Sequence, residues 1–259
     1  MRIRRCSLIA IVVLATAGTA FAADSPWAGK WKMDASQSKL TGNTIQISSM
    51  GDELVYTAQG HTTKYKLGGG PTKTWAGDET SWKKIDNSTY ESHATANGVD
   101  LGTDTWTVSP DGKSLKLESK GTNPDGSSFD DAVEYARVGG TQGLTGSWKS
   151  TKANLNENRM YDIADKGPDE LTWNIPEIKG VLDIKLDGKD YAPVGPTVPK
   201  GLTIALTKAG PHTLKMVEKM NGAVTYHSTM TVSADGKKMT EVGTPAKTTE
   251  TFTSVWIKQ

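Results

Sequence analysis

The sequence predicts an all-β protein made of two tandem antiparallel up-and-down β-barrels of about eight strands each. Three observations support this: apolar residues alternate along short runs, turn dipeptides separate the runs, and the second half of the chain repeats the first. Alternation with period two places apolar side chains on one face of a strand. Asp-Gly and Asn-Gly pairs supply the positive φ angles that tight hairpins need. Together these features indicate hairpin-connected strands with one buried face.

The repeat is visible in landmarks that return in the same order, 117 residues apart early in each copy and 124 residues apart later. The matched pairs are Gly29–Trp31 with Gly146–Trp148, Asp52–Leu54 with Asp169–Leu171, Asn97–Gly98 with Asn221–Gly222, and Val108–Lys113 with Val232–Lys237. A tandem duplication of one folding unit explains this order. We therefore expect a first repeat at 24–138, a linker at 139–143 and a second repeat at 144–259, each enclosing its own apolar core.

The predicted strands can be followed along the chain as runs dense in threonine, valine and aromatic residues, which suit a half-buried pleated surface. Such runs include Leu54–Ala58, Trp106–Val108, Leu115–Leu117, Leu214–Met216 and Met230–Val232. Residues 34–41 and 152–158 are expected to form single helical turns. Strands in hairpin order can close as a barrel, pack as a sandwich or merge into one sheet. The up-and-down barrel is favoured because closure leaves no exposed sheet edge.

Residues 1–22 have the pattern of a secretory signal. Arg2, Arg4 and Arg5 precede a short apolar run, and Ala20–Ala22 is a small-x-small cleavage site. The apolar run is too short for a stable membrane-spanning helix. We expect a cleaved signal and a periplasmic or secreted protein without stable membrane insertion, and an uncleaved anchor is the alternative.

Charge and cysteine content exclude several classes of function. Removing the three signal arginines from 30 basic residues leaves 27 against 29 acidic residues, a formal balance of −2. This balance predicts no nucleic-acid partner. The one cysteine, Cys6, lies in the signal, so the mature chain has no disulfide, thiolate nucleophile or cysteine metal ligand.

Catalytic, cofactor and metal motifs are not found in the sequence. No histidine of one copy matches a histidine of the other, and none lie at ligand spacing. Gly68–Gly70 lacks the following helix that a phosphate loop requires. Adjacent acidic pairs on a strand point to opposite faces, unlike the facing carboxyls of glycosidases. We therefore expect a protein that is not an enzyme and carries no cofactor or metal.

The eight tryptophans are the strongest hint of a binding function. Large rings form either a core or the wall of a pocket. Tyr56 and Trp173 occupy equivalent positions, whereas Trp75, Trp82 and Trp106 have no aromatic counterpart in the second copy. These five residues are the candidates for a ligand pocket, and we expect a distinctive cavity, if one exists, in the first copy.

The two Gly-x-Trp motifs, each followed by an antiparallel meander, resemble the calycin group of lipocalins and fatty-acid-binding proteins, and most closely tandem lipocalin-like secreted bacterial proteins. The resemblance implies that Trp31 and Trp148 close the barrel bases. It places Arg137 across the tryptophan of the first copy, with Lys258 near that place in the second. It also implies a pocket for a small, mostly apolar ligand. The alternative is a non-catalytic envelope module with filled barrels that contacts a protein or polysaccharide.

Overall fold

The computed structural model describes residues 25–140, 142–155 and 159–259. The predicted signal at 1–22 therefore lies outside the described residues. The described chain is almost entirely antiparallel β-structure, with one short 3-10 turn at Pro176–Ile178. None of its helices is long and apolar enough to cross a membrane.

Two nearly closed, barrel-like sheets confirm the all-β prediction, with ten and nine strands instead of about eight. Barrel one contains β2 (Thr44–Met50), β3 (Glu53–Ala58), β4 (His61–Lys66), β5 (Thr72–Lys73), β6 (Glu79–Lys84), β7 (Thr89–Ala96), β8 (Val99–Val108), β9 (Ser114–Thr122), β10 (Ser128–Gly139) and β11 (Gly146–Asn154). Barrel two contains β1 (Gly29–Met33), β12 (Met160–Gly167), β13 (Glu170–Ile175), β14 (Gly180–Lys185), β15 (Leu202–Gly210), β16 (Thr213–Met220), β17 (Ala223–Val232), β18 (Lys238–Pro245) and β19 (Phe252–Lys258).

The opening strands of the two repeats are exchanged between the barrels. β1, from the first repeat, pairs with β12 and β19, and β11, from the second, lies between β2 and β10. The expectation that each copy encloses its own core is therefore wrong for the first strand of each copy. The predicted linker at 139–143 falls in the short connection between two adjacent strands of barrel one. A short connection favours pairing between sequence neighbours, which explains why β11 stays beside β10.

Both hydrophobic cores consequently draw on both repeats. Trp27, Trp31 and Met33 of the first repeat are buried in the core of barrel two. Leu144 and Trp148 of the second repeat are buried in the core of barrel one. Each barrel therefore has its own core, and each core includes the opening strand of the other repeat.

The expected helical turns are not formed in the described residues. The Asp34 carboxylate accepts hydrogen bonds from the backbone N–H groups of Ser36 and Gln37, at 3.0 and 3.2 Å, which favours a tight turn over a helix. Lys39 then pairs with Thr253 through two backbone hydrogen bonds of 2.8 and 3.0 Å. In the second segment, residues 152–154 belong to β11, and 156–158 lie outside the described residues.

The two Gly-x-Trp tryptophans are fully buried, and each packs against a cation from the neighbouring, hydrogen-bonded strand of its barrel. The Arg137 guanidinium lies 3.9 Å from the Trp148 ring centroid, and the Lys258 Nζ lies 5.2 Å from that of Trp31. Because the opening strands are exchanged, each cation contacts the tryptophan of the other repeat. The assignment of Arg137 to the tryptophan of its own copy is therefore wrong.

The glycine of the motif provides the space for this cation. Gly146 has a φ of +150°, and a Cβ there would lie 2.5 Å from both the Arg137 Nη1 and the Gly139 carbonyl oxygen. Arg137 also donates hydrogen bonds to the carbonyl oxygens of Gly143 at 2.6 Å and Thr145 at 2.7 Å. Arg137 therefore holds both the buried ring and the connection that leads into it.

Barrel two is closed by the segment between β14 and β15, residues 186–201, called here the closing segment. Val194 exchanges two backbone hydrogen bonds of 2.8 Å with Val181 of β14. Tyr191 exchanges two, of 2.8 and 2.9 Å, with Ile204 of β15. The segment thus bridges the strands at the two ends of the sheet.

Candidate functional site

Barrel two contains an apolar cavity of about 210 Å³ that is partly open to solvent and is bounded by side chains of β12–β18 and of the closing segment. Its hydrocarbon wall includes Trp173, Leu182, Ile204, Leu206, Met216 and Met230. Apolar protein cavities of about 150 Å³ stay dry and bind benzene. The space in barrel two therefore suits a small organic molecule, one well below the size of a long-chain fatty acid.

Stacked aromatic rings form one side of this cavity. Tyr161 packs edge-on against Trp173, with ring centroids 5.1 Å apart, and stacks on Trp256 at 3.9 Å. Burial, followed by the nearby Glu241 carboxyl, raises the pKa of Tyr161. Of the five aromatic residues predicted as pocket candidates, Trp173 lines this cavity.

Side-chain size explains why this cavity lies in barrel two. At the offset of 124 residues, Leu206 and Met230 correspond to Trp82 and Trp106 of the first repeat. The two indoles lie in the core of barrel one with ring centroids 5.1 Å apart, and Tyr56 lies about 6 Å from each. The smaller leucine and methionine leave the equivalent space of barrel two open. Three of the predicted pocket residues are thus packed against one another.

The fifth candidate, Trp75, lies away from both cores. Its ring stacks on His61 with a centroid distance of 4.0 Å and an angle of 13°. Lys247 of barrel two lies 3.5 Å from His61 Nδ1. Burial and, to a lesser extent, this lysine lower the pKa of His61. Trp75 therefore belongs to a contact between the barrels.

Two carboxyl groups face the cavity of barrel two. Glu218 follows Leu214 and Met216 on the inner face of β16, and Glu241 follows Met239 on the inner face of β18. Glu241 is only 8% exposed. A buried carboxylate is costly unless it is paired or hydrogen-bonded. The environment of these two groups therefore determines what the cavity can bind.

Few polar groups surround the two glutamates. The Thr225 hydroxyl donates a hydrogen bond of 2.8 Å to Glu218 Oε1. Burial raises the pKa of the Glu241 carboxyl, the neighbouring Ser228 hydroxyl lowers it, and Glu218 raises it again. Tyr226 lies near both carboxyls, and burial followed by these two acids raises its own pKa.

The inward-facing acid of barrel one has a different environment. Asp104, which corresponds to Ser228 at the same offset, accepts hydrogen bonds from the hydroxyls of Ser119 at 2.5 Å and Ser92 at 3.3 Å. Burial raises the pKa of Asp104, whereas these serines lower it. The Trp106 Nε1 in turn donates to Ser92 at 3.0 Å. The carboxyl of barrel one is thus part of a polar network surrounded by packed rings.

Sequence reasoning missed Glu218 and Glu241 because it considered only adjacent acidic residues. A usable signal exists in the alternation, since each glutamate has a buried methionine two residues away on its strand, Met220 for Glu218 and Met239 for Glu241. A charged residue in the apolar phase of a strand is the informative exception to burial patterns. On β17, the alternate side chains that point away from the core, including His227 and Thr229, are exposed to solvent.

The closing segment that covers the cavity is attached to barrel one. Asn97, in the β7–β8 turn, donates from Nδ2 to the carbonyl oxygens of Pro196 at 3.2 Å and Val198 at 2.8 Å. Val198 itself lines the cavity. Barrel one therefore positions part of the cavity wall of barrel two.

A second, more polar cleft of about 610 Å³ lies between the barrels. Arg159 and Asp131 form an ion pair of 2.7 Å in its wall. Tyr161 contributes to both this cleft and the apolar cavity. The phenol ring therefore lies between the two spaces.

Within the part of the chain that the structure describes, no three His, Cys, Asp or Glu side chains are grouped to hold a metal ion. Comparison with family models, with curated proteins and with solved structures gave no match for this chain. Its functional assignment therefore rests on the geometry of the two barrels.

Proposed function

We propose that this chain is an exported, non-enzymatic protein that binds a small, mostly apolar ligand in the cavity of barrel two. The observation that carries the proposal is the hydrocarbon-walled space of about 210 Å³ in a barrel whose other positions are well packed. Binding pockets are concave and mostly apolar, with a few polar groups that orient the ligand. Glu218 and Glu241 are such groups here.

The sequence pattern at 1–22 supports a site of action in the periplasm or outside the cell. The Gly-x-Trp meanders support a lipocalin-like origin, in which a barrel interior holds the ligand. The proposal differs from the sequence-based expectation in using one barrel for binding. Barrel one, filled by Trp82 and Trp106, has the supporting role of holding the closing segment through Asn97.

A second candidate function follows from the filled interior of barrel one. A barrel packed with rings suits a non-catalytic envelope module that contacts a protein or polysaccharide with its outer surface. This reading competes with ligand binding for the chain as a whole, and it predicts that small apolar molecules have no saturable effect on barrel two.

The test uses the mature chain labelled with 5-fluorotryptophan and titrated with toluene. We expect a saturable ¹⁹F shift of the Trp173 resonance, assigned with Trp173→Phe, and little change at Trp75, which lies outside the cavity. Leu206→Trp fills the cavity with the residue type found at the matching position of barrel one. This variant should remain folded, at a cost of about 1–3 kcal/mol for overpacking, and should lose the response.

Met230→Trp provides a second filling variant, and circular dichroism with thermal melts verifies that each variant is folded. The proposal fails if toluene and cyclohexane give no saturable shift at Trp173. It also fails if the response persists in a folded variant whose cavity is filled.

A further inference from the structure

We propose that the ligand of barrel two is a small apolar amine, whose ammonium group is received by the Glu218 and Glu241 carboxyls while its hydrocarbon part fills the cavity. This inference rests on the proposed binding function and specifies its ligand class.

Two carboxyl groups, those of Glu218 and Glu241, line the cavity of barrel two. β16 and β18 both flank β17, where Glu218 lies opposite Tyr226 and Glu241 lies opposite Met230, four residues further along that strand. Both side chains line the cavity, and Glu241 is more than nine-tenths buried. The two carboxyls therefore make the β16–β18 end of an otherwise apolar space acidic.

The charges around this end are unbalanced. Among the described residues that line the cavity there is no lysine, arginine or histidine. Arg159 belongs to the cleft on the other side of Tyr161 and is paired with Asp131. Ion pairing inside a protein requires a partner within a few ångströms, and buried charges are normally paired. A cation brought by the ligand would fill this role.

The remaining wall suits the carbon skeleton of such a cation. The hydrocarbon groups of Leu206, Met216 and Met230 offer apolar contact, and the Trp173 and Tyr161 rings add aromatic surface. Aromatic faces attract ammonium groups, by about 2 kcal/mol when the site is desolvated. A protonated primary amine has three N–H donors, so it can donate to a carboxylate and still contact an aromatic ring.

Barrel one provides an internal comparison. Its inward-facing Asp104 receives two serine hydroxyls and lies in a packed interior. In barrel two, Glu241 has the hydroxyls of Ser228, Tyr226 and Tyr161 nearby, together with the second carboxyl group of Glu218. The inward-facing acids of the two barrels therefore have different surroundings.

The test compares benzylamine with toluene and benzyl alcohol, which have similar size but differ in charge. Hydrogen bonds to charged groups contribute about 1.5–3 kcal/mol, so at pH 8 we expect benzylamine to bind about 10–100-fold more tightly than toluene. Isothermal titration calorimetry and the Trp173 fluorine shift measure both affinities. Glu241→Gln and Glu218→Gln should each remove about tenfold or more of the benzylamine affinity while toluene binding is retained or improved.

Toluene binding to each variant shows that the cavity is intact, so a loss confined to benzylamine cannot come from unfolding. If toluene binds and benzylamine binds no more tightly, or if both variants keep the benzylamine preference, the amine inference is overturned and the binding function stands. If none of the three compounds binds the native protein, both proposals are overturned.

The pH dependence gives an independent readout. The titratable groups that face Glu241 are Glu218 on β16, Tyr226 on β17 and Tyr161 on β12. Because a protonated glutamate does not attract ammonium, benzylamine affinity should rise as the pH increases through the pKa of Glu241, whereas toluene affinity should not. A benzylamine affinity that stays constant as the pH rises from 4.5 through the pKa of Glu241, measured by NMR in the same protein, contradicts the inference.

Discussion

Replacing Trp148 by alanine should destabilise barrel one, although this residue begins the second repeat. Trp148 is fully buried among barrel one residues such as Ile45 and Leu115. The reciprocal change, Trp31→Ala, should destabilise barrel two, since Trp31 is fully buried beside Ile163 and Trp256. The pair of variants therefore tests the exchange of opening strands directly.

The magnitude follows from the burial of one indole. A buried tryptophan removes about 150–250 Å² from water, which at about 25 cal/mol per Å² corresponds to roughly 4–6 kcal/mol as an upper estimate. Measured changes of tryptophan to alanine in cores cost about 3–5 kcal/mol. Trp148→Ala also leaves Arg137 without its ring contact and the Leu144 carbonyl oxygen without the indole N–H that donates to it at 2.9 Å. We expect a loss of about 4 kcal/mol.

Hydrogen–deuterium exchange with peptide resolution measures this loss separately in each barrel. A change of about 4 kcal/mol in the opening free energy corresponds to roughly 1,000-fold faster amide exchange. In Trp148→Ala this acceleration should be largest in β2–β10, and in Trp31→Ala in β12–β19. Trp75→Ala is the control, because Trp75 is outside both cores.

The reasoning is refuted if Trp148→Ala accelerates exchange chiefly in β12–β19. That result would mean that each repeat encloses its own opening strand in solution. Trp148→Phe distinguishes the loss of the ring from a general effect of substitution, because it keeps an aromatic side chain and should cost less than the alanine variant.

Three further predictions concern the cavity and its surroundings. Burial raises the pKa of Glu241 above the ordinary value of 4.5. The folded state therefore binds a proton at this carboxyl more readily than the unfolded chain does. The ligand-free protein should consequently lose stability as the pH rises from about 4.5 through the raised pKa. Urea unfolding across this range should show a smaller decline for Glu241→Gln, and an unchanged decline would contradict the assignment. Asn97→Asp removes two hydrogen bonds to the closing segment, each worth about 0.5–1.5 kcal/mol. Bound toluene should then exchange with free toluene more rapidly, as measured by NMR line shape. An unchanged exchange rate would argue against a supporting role for barrel one. The double substitution Trp82→Leu with Trp106→Met should destabilise barrel one by several kcal/mol, because large-to-small core changes leave cavities. If this variant folds, it should bind one additional toluene molecule in barrel one. An unchanged toluene stoichiometry would show that side-chain size at these two positions does not decide which barrel is hollow.

The exchange of opening strands has a simple physical basis in the connections of the chain. The duplication provides two equivalent strands, β1 and β11, and two equivalent places between a second and a last strand. β11 follows β10 after a short connection that includes the Gly143 carbonyl held by Arg137. Closing a short loop costs less entropy than closing a long one. β11 therefore pairs with β10, and β1 occupies the matching place in barrel two.

The sequence by itself determined the features that depend on near neighbours along the chain. Alternation of apolar residues predicted strands with one buried face, and paired Asp-Gly and Asn-Gly turns predicted the hairpins; the structure confirms an all-β chain with two barrel-like sheets. The Gly-x-Trp motif singled out Trp31 and Trp148, which are both fully buried. Side-chain direction in a strand is set by a period of two residues, so a local pattern is sufficient to infer it.

Only the tertiary structure decided which repeat each opening strand joins, which barrel is hollow and which acids line the cavity. Glu218 and Glu241 belong to different strands, and their approach depends on the register of β17 between them. The cavity depends on whether inward side chains from many strands together fill the interior, as Trp82 and Trp106 do in barrel one and Leu206 and Met230 do not in barrel two. Such properties are sums over residues distant in the chain, so no local pattern contains them.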